Sequence, residues 1–228
     1  MKKDLTEIII VLDESGSMNG CKNDTIGGFN NFVESQKKLP GTAKLTLVKF
    51  NTEYDVVLNG IDIQNVQPLT DATYGPGGMT ALLDATGRAI DEVGKRLAST
   101  SEDERPERVM AIIITDGKEN SSREYTGVQI KEKVENQKKQ FNWEFIFMGA
   151  NIDAWSVGSS LGSSINVNFN VKDMSRSMKA ASVNTAYHRS GANLSAKAYV
   201  DNFAMSDADL DKELEKLSKN DDKDNPKT

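Results

Sequence analysis

Apolar positions along the chain follow two kinds of spacing. Three short blocks are apolar without interruption and rich in β-branched residues: Ile8 to Leu12, Val109 to Thr115 and Phe145 to Met148. Blocks of this length without polar alternation predict strands buried on both faces. Each closes on small or acidic residues, Asp13, Asp116-Gly117 and Gly149, which predicts a parallel sheet with its loops gathered at one edge. Between the blocks the apolar residues recur at helical spacing. Ile26, Phe29, Phe32 and Val33 mark one helix, ended by Pro40-Gly41, and Leu83, Ile90, Val93 and Leu97 mark a longer one from about Thr80 to Leu97. A third helix around Val128 and Val134 has a thin apolar stripe and is expected at the surface.

Leu45 to Phe50 alternates in polarity, and Tyr54 to Leu58 follows the polar turn Asn51-Thr52-Glu53, the pattern of a hairpin. Ala154 to Leu161 reads as a short helix and Ile165 to Phe169 as a last strand. The sum predicts an α/β, doubly wound, Rossmann-like fold: a mostly parallel sheet with one antiparallel edge strand and helices on both faces. Its expected core is residues 5–170, with a helical, basic extension over 171–206, giving a single domain of residues 1–206. Residues 207–228 carry eight acidic side chains and five lysines, which predicts a C-terminal helix and a disordered tail.

Composition narrows the function. With 228 residues, 37% hydrophobic, the chain is neither collagen-like nor a disulfide scaffold. A net charge of -6 argues against a broad nucleic-acid-coating role. The one local exception is residues 172–199, where Lys172, Arg176, Lys179, Arg189 and Lys197 are opposed only by Asp173. A single cysteine, Cys21, and a single histidine, His188, exclude an intrachain disulfide and a histidine-rich zinc site. Because the apolar run after Lys2-Lys3 is too short for a leader or a membrane span, a cytoplasmic protein with no membrane contact is expected. Trp143, Phe145 and Trp155 are expected in the core.

The candidate chemistry starts at Asp13, Ser15 and Ser17, directly after the first buried strand. Carboxylate and hydroxyl oxygens at alternate positions of a loop bent at Gly16 can converge on a hard cation, although the same residues also serve helix caps and local turns. Asp116 follows the second buried strand. If those strands are neighbours at the switch point of the sheet, Asp13 and Asp116 flank one crevice. Two carboxylates placed so call for a metal, a lysine or a shared proton. Thr80 ends the loop Gly75-Pro76-Gly77-Gly78-Met79-Thr80 and delivers a hydroxyl at the start of the long helix, where it can also act as an N-cap.

Taken in order, Asp13, Ser15 and Ser17, then Thr80, then Asp116 resemble the five-point metal-ion-dependent adhesion site of the von Willebrand factor type A domain family. That resemblance implies a non-enzymatic protein-interaction module. Ser15, Ser17 and Thr80 would supply hydroxyl ligands, with Thr80 able to move into or out of contact, and Asp13 and Asp116 would act directly or through water. The implied ion is Mg, with Mn or Ca as the other candidates, and a Glu or Asp carboxylate from a protein partner would fill the remaining position. The compact, disulfide-free form resembles the microbial members of the family. Other readings are a metal-independent scaffold of a microbial or viral stress or defence complex, nucleic-acid association through the basic segment, and a Mg-dependent phosphatase. The phosphatase reading wants a second acid two residues after Asp13, where Ser15 stands. Glu14, between the candidate ligands, is either a surface charge or turns inward to tune the site.

Overall fold

The computed structural model describes residues 1–150 and 152–219. Strand β1 (Lys2–Asp13) runs through the middle and feeds two cores with alternate side chains: Ile8, Ile10 and Leu12 into one, Ile9 and Val11 into the other. This is why its apolar run is unbroken, since a strand covered on both faces has no solvent side to mark with polar residues. Each of these side chains contributes about 1.5 to 3 kcal/mol of transfer free energy.

The other strands are β2 (Thr42–Phe50), β3 (Tyr54–Asp62), β4 (Pro106–Thr115), β5 (Trp143–Ala150) and β6 (Ile165–Phe169). They form one sheet in the order β3-β2-β1-β4-β5-β6, with β2 and β3 antiparallel and the other neighbours parallel. Helices α1 (Lys22–Lys37) and α5 (Met174–Arg189) cover the face reached by Ile8, while α2 (Leu82–Ser99), α3 (Gly127–Phe141) and α4 (Ala154–Ser160) cover the face reached by Ile9. The sheet is therefore the expected doubly wound one, and β1 and β4 pair in register, Leu12 beside Ile114. Their C-terminal ends sit where the winding reverses, the place at which this architecture opens a crevice.

The expected short helix and its tryptophan need one correction. Trp143 and Phe145 are buried as expected, but Trp155 is 63% exposed. Helix α4 is short and meets the sheet through Ala154, Gly158 and the following Leu161, which leaves position 155 on its outer side.

Helix α5 is covered on its outside by α6 (Ala196–Asn202) and α7 (Asp207–Ser218). Twelve of its sixteen residues are buried, many of them Ala, Ser or Thr, so it shows no apolar stripe in sequence. Three of the five basic residues of this region are engaged within the fold, while Lys172 and Lys197 are exposed. Arg189 donates to the carbonyls of Gln36 at 2.7 Å and Pro40 at 2.9 Å, Arg176 to that of Phe203 at 2.8 Å, and Lys179 pairs with Asp207 and Asp211. The expectation of a tail beyond residue 219 lies outside the described residues.

His188 is buried beside β4, and among the described residues its Nε2 has no partner. Burial first, and then the charge of Arg108, push its pKa down from 6.5 to about 4, against the hydrogen bond with the Val109 backbone. In the fold it stays neutral while the unfolded chain takes up a proton. Stability is therefore full above the ordinary histidine value and falls as pH drops toward 4, by on the order of 3 kcal/mol. Urea midpoints at pH 7 and pH 4.5 should show this loss in the wild type, and His188→Gln should flatten it; an equal slope in the variant would refute the assignment.

Candidate metal centre

The five residues singled out from the sequence come from three loops at the C-terminal edge of the sheet. Asp13 ends β1 with no exposed surface, Asp116 follows β4 at 6%, and Thr80 precedes α2 at 3%. Asp13 Oδ1 accepts from Ser15 N–H at 2.7 Å, which fixes the turn after β1. Ser15 and Ser17 hydroxyls lie 3.0 Å apart, and Ser17 donates to Asp116 Oδ1 at 2.6 Å. The two carboxylates are thus linked across the crevice by the serine loop.

Thr80 reaches the same place over Gly117. A Cβ built on Gly117 would stand 2.8 Å from Thr80 Oγ1 and 3.3 Å from Ser17 Oγ, so the two hydroxyls converge above a position that only glycine leaves open. Thr80 does not cap the helix. Helix α2 begins at Leu82, and its first N–H groups donate instead to Glu119, from Leu83 at 2.9 Å, and to Ser122, from Asp84 at 3.1 Å. The Thr80 hydroxyl is released from the duty that a threonine at a helix start usually performs.

Burial raises the pKa of Asp13 above its ordinary 3.8, opposed by its hydrogen bonds to Thr115 and Ser15 and reinforced by the charge of Asp116. Burial raises Asp116 as well. Among the described residues neither carboxylate forms an ion pair; Lys49, on the strand beside β1, is taken by Glu14 at 3.1 Å. Glu14 therefore turns away from the cluster, and its Oε1 also accepts from Gly75 N–H at 2.7 Å.

Several contributors carry no signal in sequence. Thr115 donates to Asp13 Oδ2 at 2.6 Å, and the fully buried Tyr74 hydroxyl donates to the Asp13 carbonyl at 2.7 Å. A threonine at the end of a strand and a tyrosine in a polar loop look ordinary until the fold brings them to β1. Among the described residues no group of three or more His, Cys, Asp or Glu is placed to hold a metal; this cluster has two carboxylates and three hydroxyls. A cavity of about 490 Å³ opens at the opposite edge of the sheet, beside Leu97, Phe141 and Trp143, and shares no residue with the cluster.

The family model for the von Willebrand factor type A domain matches residues 7–225. No curated protein matches the chain. Among solved structures, the chain is similar to proximal thread matrix protein 1 from the mussel byssus, at 16% identity and a TM-score of 0.55 over 80% of this chain and 47% of that one. It thus spans about half of that protein's length. The same protein has also been solved with a zinc-occupied MIDAS motif, the metal-ion-dependent adhesion site. The vWF domain of the type V pili tip protein Mfa5 from Porphyromonas gingivalis is 8% identical with a TM-score of 0.56, over 83% of this chain and 97% of that one. Manganese-loaded TRAP from Plasmodium vivax is 18% identical with a TM-score of 0.54, over 77% and 72%.

These likenesses correct the expected cytoplasmic setting, since a byssal thread and a pilus tip are built outside the cell. The physical reason is that this fold closes its core without a disulfide, so a lone buried Cys21 reports packing and not a compartment. With the family model covering nearly the whole chain, the chain belongs to the von Willebrand factor type A domain family, whose members are in general non-catalytic adhesion and interaction modules.

Proposed function

We propose that this chain is a protein-interaction module that takes up a divalent cation, Mg before Mn or Ca, at Asp13, Ser15, Ser17, Thr80 and Asp116. Through the ion it would bind an Asp or Glu carboxylate of a partner protein. The observation that carries this reading is a pair of buried carboxylates with raised pKa values, bridged by hydroxyls and with no ion pair among the described residues. Buried like charges are costly unless a cation compensates them. The donor set is all oxygen and two carboxylates strong, which suits a hard ion and leaves a Mg only just neutralised. Held by the oxygens of Asp13, Ser15, Ser17, Thr80 and Asp116, a cation would supply Lewis acidity toward an acidic partner. The zinc-occupied and manganese-loaded relatives support the reading.

A second reading has an observation of its own. The cluster closes on itself by hydrogen bonds, Ser17 to Asp116 and Thr115 to Asp13, and no larger group of metal-type side chains is gathered among the described residues. A metal-independent interaction module would use the same edge of the sheet without an ion. Calorimetric titration with Mn and Mg separates the two. Uptake of one ion per chain that vanishes in Asp13→Asn supports the metal reading, and heats no larger than dilution leave the metal-free one.

Gly117→Ala makes a sharper version of the same test. Its methyl would push against the Thr80 and Ser17 hydroxyls, so Mn uptake should weaken by at least about tenfold in a chain that still folds. Unchanged uptake in this variant would place the ion elsewhere.

A further inference from the structure

The loop that carries Thr80 and the loop that carries Asp116 are tied to each other outside the cluster. Thr80 N–H donates to Asn120 Oδ1 at 2.8 Å, and Asn120 N–H donates back to the Thr80 carbonyl at 3.1 Å. Asn120 thus grips both polar groups of the Thr80 backbone while standing in the loop that begins at Asp116. The preceding turn of the Thr80 loop is held from the other side: Gly77 N–H donates to the Glu14 carbonyl at 2.8 Å, and Gly16 N–H donates to the Gly78 carbonyl at 3.1 Å. Past Thr80, Ala81 N–H donates to the Asn51 carbonyl at 3.0 Å.

Between those anchors the Asn120 pair is what sets Thr80 itself. Thr80 is β-branched, so its hydroxyl has few staggered positions and follows its backbone closely. Holding the peptide groups on either side of its Cα therefore holds the hydroxyl over Gly117, where Ser17 also points. We propose that Asn120 is a positioning residue for the metal centre, an assignment that rests on the metal reading given above. It keeps Thr80 in place at the cluster before any partner arrives, in contrast to a threonine that swings in on binding.

Asn120 is exposed, so its truncation leaves no cavity and the fold should bear it. Outer partners that orient metal ligands are worth about ten- to a hundredfold in affinity. Because Asn120 acts through Thr80, its loss should matter only while the Thr80 hydroxyl is present, and a double-mutant cycle reads that dependence directly.

The experiment measures Mn affinity by electron paramagnetic resonance, and metal-free melting temperature, for the wild type, Asn120→Ala, Thr80→Ala, their double variant, Asn120→Asp and, as the control for the site, Asp13→Asn. Asn120→Ala should weaken Mn binding by about tenfold or more while its metal-free melting temperature stays within about 3 °C of the wild type. The double variant should bind like Thr80→Ala alone, within about twofold. Asn120→Asp keeps the acceptor for Thr80 N–H and should bind at least as well as the wild type. The proposal is overturned if Asn120→Ala binds like the wild type, if the two single losses add in the double variant, or if Asn120→Asp is as weak as Asn120→Ala. A wild-type chain that takes up no Mn, or takes it up equally as Asp13→Asn, removes the metal reading and this assignment with it.

Discussion

Asp13→Asn is expected to abolish the stabilisation that Mg gives the wild-type chain, and to leave the metal-free protein at least as stable as before. Both halves follow from the same buried carboxylate. Burial holds its pKa above the ordinary 3.8, which means that the charged form is disfavoured in the fold relative to the unfolded chain. For an acid shifted this way, stability is greatest where the group is protonated and is lost as pH rises through the folded value. At neutral pH the metal-free wild type carries that penalty, and a neutral amide removes it. The hydrogen bonds survive the change. The amide oxygen still accepts from Ser15 N–H, and the amide nitrogen can donate to Thr115 Oγ1, whose proton turns to the Gly117 carbonyl 3.1 Å away. Metal uptake offsets the penalty only when the carboxylate is present. With Mg at about a hundred times its Kd the wild type should gain about 2.7 kcal/mol, or about 5 to 10 °C in melting temperature for a chain of this size. Differential scanning calorimetry with Mg and with EDTA checks it. A shift of equal size in Asp13→Asn would move the ion away from β1.

The fold was legible in the chain because its central strands are covered on both faces. Ile8 to Leu12 and Val109 to Thr115 have no polar alternation to confuse with a helix stripe, and the residues that end them sit at the sheet's C-terminal edge by geometry alone. Asp13, Ser15, Ser17 and Asp116 were legible for the same reason, since their spacing is local to a strand end. Thr80 was visible through its glycine loop, but its freedom from capping was not, because Glu119 and Ser122 take over the α2 N-terminus from a distant segment. Asn120, Thr115 and Tyr74 act through contacts across many residues of chain, where sequence spacing says nothing. The helical, basic character of residues 171–206 carried no sign that α5 is buried, because its packing uses small residues and its arginines find buried carbonyls that only tertiary structure supplies. Trp155 failed in the opposite sense: a large apolar side chain in a helix too short to choose which side it buries.

The second large effect lies away from the metal centre. Arg96→Met is expected to destabilise the chain by about 3 to 5 kcal/mol, lowering the melting temperature by about 6 to 20 °C. Glu7 on β1 is fully buried, and Arg96 near the C-terminal end of α2 reaches it at 2.7 Å. Thr46 Oγ1 donates to the same carboxylate at 2.6 Å and accepts from Gly60 N–H at 3.0 Å, so the group lies at the junction of β1, β2, β3 and α2. Removing the guanidinium leaves a carboxylate with no cation in a place water does not reach, which costs more than the pair itself contributes. The double variant Glu7→Gln/Arg96→Met should therefore recover more than half of the loss, because the amide keeps an acceptor for Thr46 and strands no charge. Chemical denaturation of the three variants tests it: a small loss in Arg96→Met, or no recovery in the double variant, would show that the pair is incidental to stability. Measured well below its melting point, Arg96→Met should keep the wild-type Mn affinity, since Arg96 sits at the end of α2 remote from Thr80. Stability and metal uptake then separate along one helix, the first set by its C-terminal clamp on β1 and the second by the loops at its N-terminus.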